Sequence, residues 1–183
     1  YAGIRRSKKS DFHFESSIKA TKLFIVSLRN QKEKKTMTSL EKHQTYMSIA
    51  LDLARQETLD MPIAALIVKK DEIIAQAVNQ KEALNDPTAH AEILVIQKAC
   101  SLLKSWRLTG LTLYTTLEPC PMCATAILFS RLETVVFGAY DALYGAFGST
   151  MNLSNMYTLS KPLIIGGILE EESRHLLKST FCR

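Results

Sequence analysis

The chain has 183 residues, of which 46% are hydrophobic, with four cysteines and a formal net charge of +5. That length suits one domain whose core needs no disulfide support, and no apolar run approaches the roughly 20 residues of a membrane span. The charge is uneven. Residues 1–36 carry ten Lys or Arg against three Asp or Glu, whereas the other 147 residues carry 13 against 15. Any binding of RNA by the body must therefore rest on a local patch and not on bulk charge.

The first 36 residues are rich in Lys and Ser and lack a sustained period; Met37-Thr-Ser then opens a well-patterned segment. Residues 1–36 are thus expected to be a basic leader, disordered or upstream of a native start at Met37. Their composition also permits a targeting peptide or a basic RNA arm. Residues 37–183 are expected to be the functional domain. Thr38-Ser-Leu-Glu41 reads as a capping box, and Tyr46, Met47, Ala50, Leu53 and Ala54 recur at helical spacing. Ile63–Val68 and Ile73–Val78 read as strands joined by the charged turn Lys69–Glu72, together a hairpin. Asn85-Asp-Pro-Thr88 reads as a loop capping a helix over Ala89–Leu103. A strand at Leu111–Thr116, a helix from Pro119 to Arg131 and a strand at Thr134–Phe137 follow. Gly138–Ser160 reads as loop with one short helix, Leu163–Ile165 as a strand and Leu169–Thr180 as a last helix. This order argues for an α/β fold with three layers around a mixed sheet.

Two segments carry chemistry. In Thr88-Ala-His90-Ala-Glu92 and Leu117-Glu-Pro119-Cys120-Pro-Met-Cys123, metal-ligand residue types open two predicted helices. Cysteines three apart share a helix face, so both sulfurs can reach one ion, and a helix N-terminus favours thiolate. His90, Cys120 and Cys123 make a donor set of two sulfurs and one nitrogen, which zinc prefers. Cys100 lies ten residues past His90, about 15 Å along the same helix, and Cys182 has no evident place. A three-ligand site keeps one position for water, as catalytic zinc does. Glu92, two residues after His90, is poorly placed to ligate but close enough to move protons. The paired Cys-x-x-Cys also points to a reducing compartment, read as the cytoplasm, with organelle targeting by the leader as the other option.

His-x-Glu followed by Pro-Cys-x-x-Cys is the signature of the zinc deaminases of the cytidine deaminase superfamily. Beyond it, Asn85–Ile93, Ser105-Trp-Arg-Leu108, Val135–Ala139 and Asp141 to Gly145-Ala-Phe-Gly-Ser149 resemble the bacterial tRNA adenosine deaminase family, the TadA type. The resemblance runs from about Glu41 to the end of the chain. It implies a three-layer α/β/α cytidine deaminase-like fold with a five-stranded mixed sheet. It implies one zinc ion per chain on His90, Cys120 and Cys123, with Glu92 as proton shuttle. Asn79 and the backbone N–H of Ala91 would meet the target nucleotide, Pro62 and Ile63 would wall the pocket, and Asp141 would touch RNA. The implied reaction is hydrolytic deamination of adenosine to inosine at the wobble position of a tRNA anticodon loop, by a homodimer, using a zinc-activated water.

Three departures stand out: Ala64 where the family often has Gly, no Asn-His pair within residues 150–162, and no basic tail after the last predicted helix. They keep open a deaminase of a free nucleobase or nucleoside such as guanine or cytosine. A non-catalytic zinc-binding subunit of a deaminase heterodimer is a third reading, against which the intact Glu92 argues.

Overall fold

The computed structural model describes residues 37–155 and 161–181; the basic leader and Cys182 lie outside the described residues. In chain order the elements are α1 (Ser39–Ala54), β1 (Ala64–Lys69), β2 (Glu72–Val78), the single turn α2 (Lys81–Leu84), α3 (Ala91–Leu103) and β3 (Thr112–Leu117). They continue with α4 (Pro121–Phe129), β4 (Thr134–Ala139), a 3-10 turn at Leu153–Asn155, β5 (Leu163–Ile165) and α5 (Glu170–Phe181). The strands form one sheet in the order β2-β1-β3-β4-β5. β1 pairs antiparallel with β2 and β3, while β3–β4 and β4–β5 are parallel. The mixed five-stranded sheet is the one the sequence reading expects.

Period-2 alternation sends the strand side chains to two separate cores. Ala65, Ile67, Leu113, Val135 and Phe137 pack with Val95, Ile96 and Ala99 of α3 and Ala124, Ile127 and Leu128 of α4. Leu66, Val68, Tyr114 and Val136 pack on the other face with Tyr46, Met47, Ala50 and Leu51 of α1. Helices therefore cover both faces, and β1, β3 and β4 read as almost unbroken apolar runs because neither of their faces meets water. Each large aliphatic side chain buried this way contributes about 1.5–3 kcal/mol. Among the described residues, no helix is long and apolar enough to cross a membrane.

The β1–β2 hairpin closes through Lys70 and Asp71, both at positive φ (47° and 68°), the pair of left-handed residues that a two-residue turn demands. The Tyr46 hydroxyl donates to the Asp71 carbonyl at 2.8 Å, and Lys42 pairs with the Asp71 carboxylate, so α1 pins the turn. Two expectations are corrected locally. Asp86 does not cap α3; its Oδ1 instead accepts from the N–H and hydroxyl of Thr88 (2.8 and 2.7 Å), and the N-cap is His90. The helix after β3 starts at Pro121 rather than Pro119, with Cys120 as its N-cap, because proline is preorganised for the first helical position.

Candidate active site

β3 and β4 run parallel, so the segments leaving their carboxyl ends open on the same edge of the sheet, the usual place for a site in an open α/β sheet. There the N-terminal ends of α3 and α4 meet. His90 and Cys120 both occupy N-cap positions with extended backbone (φ −72°, ψ 149° and φ −71°, ψ 171°), and neither side chain is spent on a capping hydrogen bond. Their donor atoms are thus free to converge with that of Cys123. His90 Nδ1 lies 3.8 Å from Cys120 Sγ and 3.6 Å from Cys123 Sγ, and all three donor atoms fall within 4.8 Å of one another.

This donor set fits zinc. Tetrahedral bonds of about 2.3 Å to sulfur and about 2.0 Å to nitrogen place S and N about 3.6 Å apart, close to the two separations observed. The three groups also shift one another's titration. Cys120 is pulled down to about 4, first by the hydrogen bond from the Cys123 thiol and further by His90. Cys123 is raised, first by that same bond and then by burial. His90 is raised, chiefly by its hydrogen bond to Cys120. Glu92, in the first turn of α3, is 4% exposed, and burial pushes its carboxyl up to about 6.

A cavity of about 620 Å³ opens in front of these groups, lined among others by Ile63, Asn79, His90, Glu92, Cys120 and Asp141. That volume suits a nucleoside or a single flipped nucleotide. Pro62 is buried and stands behind the wall, which its neighbours Met61 and Ile63 form. Ala91 is buried at the first position of α3, where a helix N–H has no intrahelical acceptor. Asp141 lines the cavity, yet its Oδ1 also accepts from the N–H groups of Leu143 and Tyr144 (2.9 and 3.1 Å). The aspartate therefore shapes its own turn at the rim. Leu143 and Tyr144, exposed at 76% and 64%, continue that rim, and Lys81 and Lys178 add two cations to the lining.

Sequence reading missed two buried carboxylates here, Asp60 and Glu118 (4% and 1% exposed). Glu118, directly before Pro119-Cys120, accepts from the N–H groups of Asp141 (3.1 Å), Phe147 (2.9 Å) and Ser149 (3.2 Å) and from the Ser149 hydroxyl. It clasps the rim loop to the segment that bears Cys120. The available signal was a lone acid at the end of an apolar strand, Thr-Thr-Leu117-Glu118-Pro, which solvent exposure explained equally well.

Fold and donor set together define a zinc-dependent deaminase: the chain belongs to the cytidine and deoxycytidylate deaminase family, whose zinc-binding region matches residues 40–139. Within that class it belongs with the tRNA-specific adenosine deaminases. It is 45% identical over 141 residues to the tRNA-specific adenosine deaminase of Bacillus subtilis (strain 168), covering 75% of this chain and 88% of that protein. It also matches a solved structure of a tRNA:A34 deaminase studied for A-to-I editing at the wobble position, with 42% identity and a TM-score of 0.70. That match covers 73% of this chain and 99% of the other. A guanine deaminase structure from Bacillus subtilis is similar at 35% identity and a TM-score of 0.53, covering 60% of this chain and 82% of that one.

Proposed function

We infer that this chain hydrolyses the adenosine at the wobble position of a tRNA anticodon loop to inosine, with Glu92 as the proton shuttle. The observation that carries the chemistry is the convergence of His90, Cys120 and Cys123 beside the buried Glu92 on the wall of a nucleoside-sized cavity. The similarity in sequence and structure to tRNA adenosine deaminases supports the substrate.

His90, Cys120 and Cys123 would hold the metal. Zinc bound there supplies the Lewis acidity that makes hydroxide available from water near neutral pH. Glu92 accepts the proton that the attacking water gives up and returns it to a ring nitrogen. The water oxygen bonds to carbon 6 of the purine, the bond from carbon 6 to the exocyclic nitrogen breaks, and ammonia leaves with a second proton from the water. Asn79, the Ala91 N–H and Ile63 hold the base. Because the cavity admits one nucleotide, the target base must be splayed out of its loop. Leu143 and Tyr144 offer apolar and aromatic surface to the neighbouring bases, and Lys81 and Lys178 offer charge to phosphates.

The full chain, incubated with an anticodon stem-loop bearing a wobble adenosine, should yield inosine by mass spectrometry, with Glu92→Ala as an inactive blank that retains zinc. Guanine, adenine and cytosine run alongside. Ammonia from a free base, with no inosine in the stem-loop, would replace this reading by the small-molecule one that the similarity to guanine deaminase favours. Activity in Glu92→Ala would refute the shuttle.

The same reading makes residues 37–183 the deaminase domain, working as a homodimer in the reducing cytoplasm. In its support, α4 is apolar except at Thr125 and leaves Phe129 half exposed, and among the described residues Cys100, Cys120 and Cys123 form no disulfide. Light scattering should return twice the 20.5 kDa of one chain; a monomer at micromolar concentration would refute the dimer.

A further inference from the structure

We propose that Asp60 is a positioning residue that fixes which end of the Asn79 side-chain amide faces the substrate, and that it thereby sets the hydrogen-bond polarity of the cavity wall. This rests on the reading of the cavity as the nucleoside site.

Asp60 is 4% exposed, and among the described residues no cation pairs with it. Its carboxylate is instead filled by three N–H donors. Asn79 Nδ2 donates to Oδ1 at 2.9 Å, Glu82 N to Oδ1 at 3.0 Å and Ala83 N to Oδ2 at 3.1 Å. Asp60 is itself held, its N–H donating to Glu57 Oε1 at 3.1 Å.

Both Asp60 oxygens accept from N–H groups, so the Asn79 amide turns its NH2 and not its oxygen toward Asp60. The backbone of Asn79 is fixed as well, its N–H donating to the Ile63 carbonyl at 2.9 Å. Asn79 lines the cavity, its Oδ1 has no hydrogen-bond partner among the described residues, and it is not among their sealed, unpartnered polar atoms. An oxygen acceptor is therefore presented to the nucleoside. An amide without this anchor could turn over at little cost and present NH2 instead. The chemistry recognised is a hydrogen-bond donor on the nucleoside, either an exocyclic amine or a ribose hydroxyl.

The test is a two-by-two cycle on the full, zinc-loaded chain: wild type, Asp60→Asn, Asn79→Ala and the double variant, with kcat and KM for each. Asp60→Asn keeps the shape but lets Asn79 turn. It should lower kcat/KM about ten- to a hundredfold with zinc content retained. In the Asn79→Ala background the same change should cost less than about threefold, since residues acting as a unit are not additive. An equal loss in both backgrounds, or full kcat/KM in Asp60→Asn, would overturn the proposal. A stem-loop with 2′-deoxyadenosine at the target separates the two donors: the ribose hydroxyl is the partner if the Asp60→Asn effect vanishes there, the amine if it persists. The cycle is run on whichever substrate the wild type turns over, stem-loop or free purine. Failure of the tRNA reading then shows as an inactive wild type on the stem-loop and leaves the coupling measurable. Should Asp60→Asn not fold, the wild type still decides by NMR. Asn79 side-chain N–H signals, assigned by their loss in Asn79→Ala, should exchange slowly with solvent, and rapid exchange of both protons would overturn the anchor.

Discussion

Replacing Glu118 by Gln removes one charge and one acceptor from the centre of the clasp between the rim loop and the Cys120 segment. In the wild type, Oε1 accepts from Phe147 and Ser149 N–H, and Oε2 from Asp141 N–H and the Ser149 hydroxyl. A glutamine can keep the first pair by placing its oxygen there. Its NH2 then faces the Asp141 N–H, donor against donor, while the Ser149 hydroxyl can rotate and accept. The net loss is one hydrogen bond to a charged group plus a weakening of the others, about 2–3 kcal/mol. For a unit of this size each kcal/mol moves Tm by roughly 2–4 °C, so Glu118→Gln should melt roughly 5–10 °C below wild type. Calorimetry on zinc-loaded protein measures this, and hydrogen exchange should show faster opening of Asp141, Phe147 and Ser149. A melting point within about 1 °C of wild type, with unchanged exchange at those three amides, would refute the assignment of Glu118 as the clasp.

Gly138 in β4 has no room for a methyl group, which would overlap Ser173 Oγ of α5 and lie 2.7 Å from the Thr116 carbonyl oxygen. Gly138→Ala should therefore cost about 1–3 kcal/mol, and adding Ser173→Ala should restore only part of the melting point, because the carbonyl remains. Cys120→Ser should lose zinc by elemental analysis and lower Tm, since ligation contributes to folding; full occupancy would refute the ligand set. His43 pairs through Nδ1 with the Tyr114 hydroxyl at 3.0 Å, and its pKa is lowered from 6.5, first by burial and then by Lys42. The unfolded chain then binds that proton more readily than the fold, so this contribution is complete above about pH 6.5 and is lost as pH falls below it. Wild type should lose more stability than His43→Gln between pH 7.5 and 5.5 (about two half-units either side of the ordinary value), and parallel losses would refute the role.

Local pattern was enough to locate most elements, for reasons visible in particular residues. Ile63–Val68 reads as a strand because its residues are apolar on both faces, and both faces are indeed covered, by Ala65 and Ile67 on one side and Leu66 and Val68 on the other. The donor set at His90, Cys120 and Cys123 is legible because metal-ligand residue types stand at helix starts. What escaped depends on partners distant in sequence. The turn α2 has no cap from its own neighbour Gln80; its N–H groups are taken by Asp60, about twenty residues upstream. Asp60 and Glu118 look like surface acids in sequence because most of their partners are backbone amides, which carry no signature. Strand order is equally hidden: nothing within β3 announces that it runs antiparallel to β1 and parallel to β4.

The parallel pairing of β3 with β4 has an evolutionary corollary. The segment after β3 brings Cys120 and Cys123, and the segment after β4 brings the rim residues Asp141 to Tyr144, so two parts of one cavity arrive on separate stretches of chain. The rim loop, residues 140–152, can therefore vary while the segment that bears the two cysteines stays unchanged, provided that Gly145 is kept. A side chain at Gly145 would lie 2.5 Å from the Asp141 carbonyl and collide with Glu118. The fit against a single carboxylate, Glu118, thus limits which rim loops this scaffold admits.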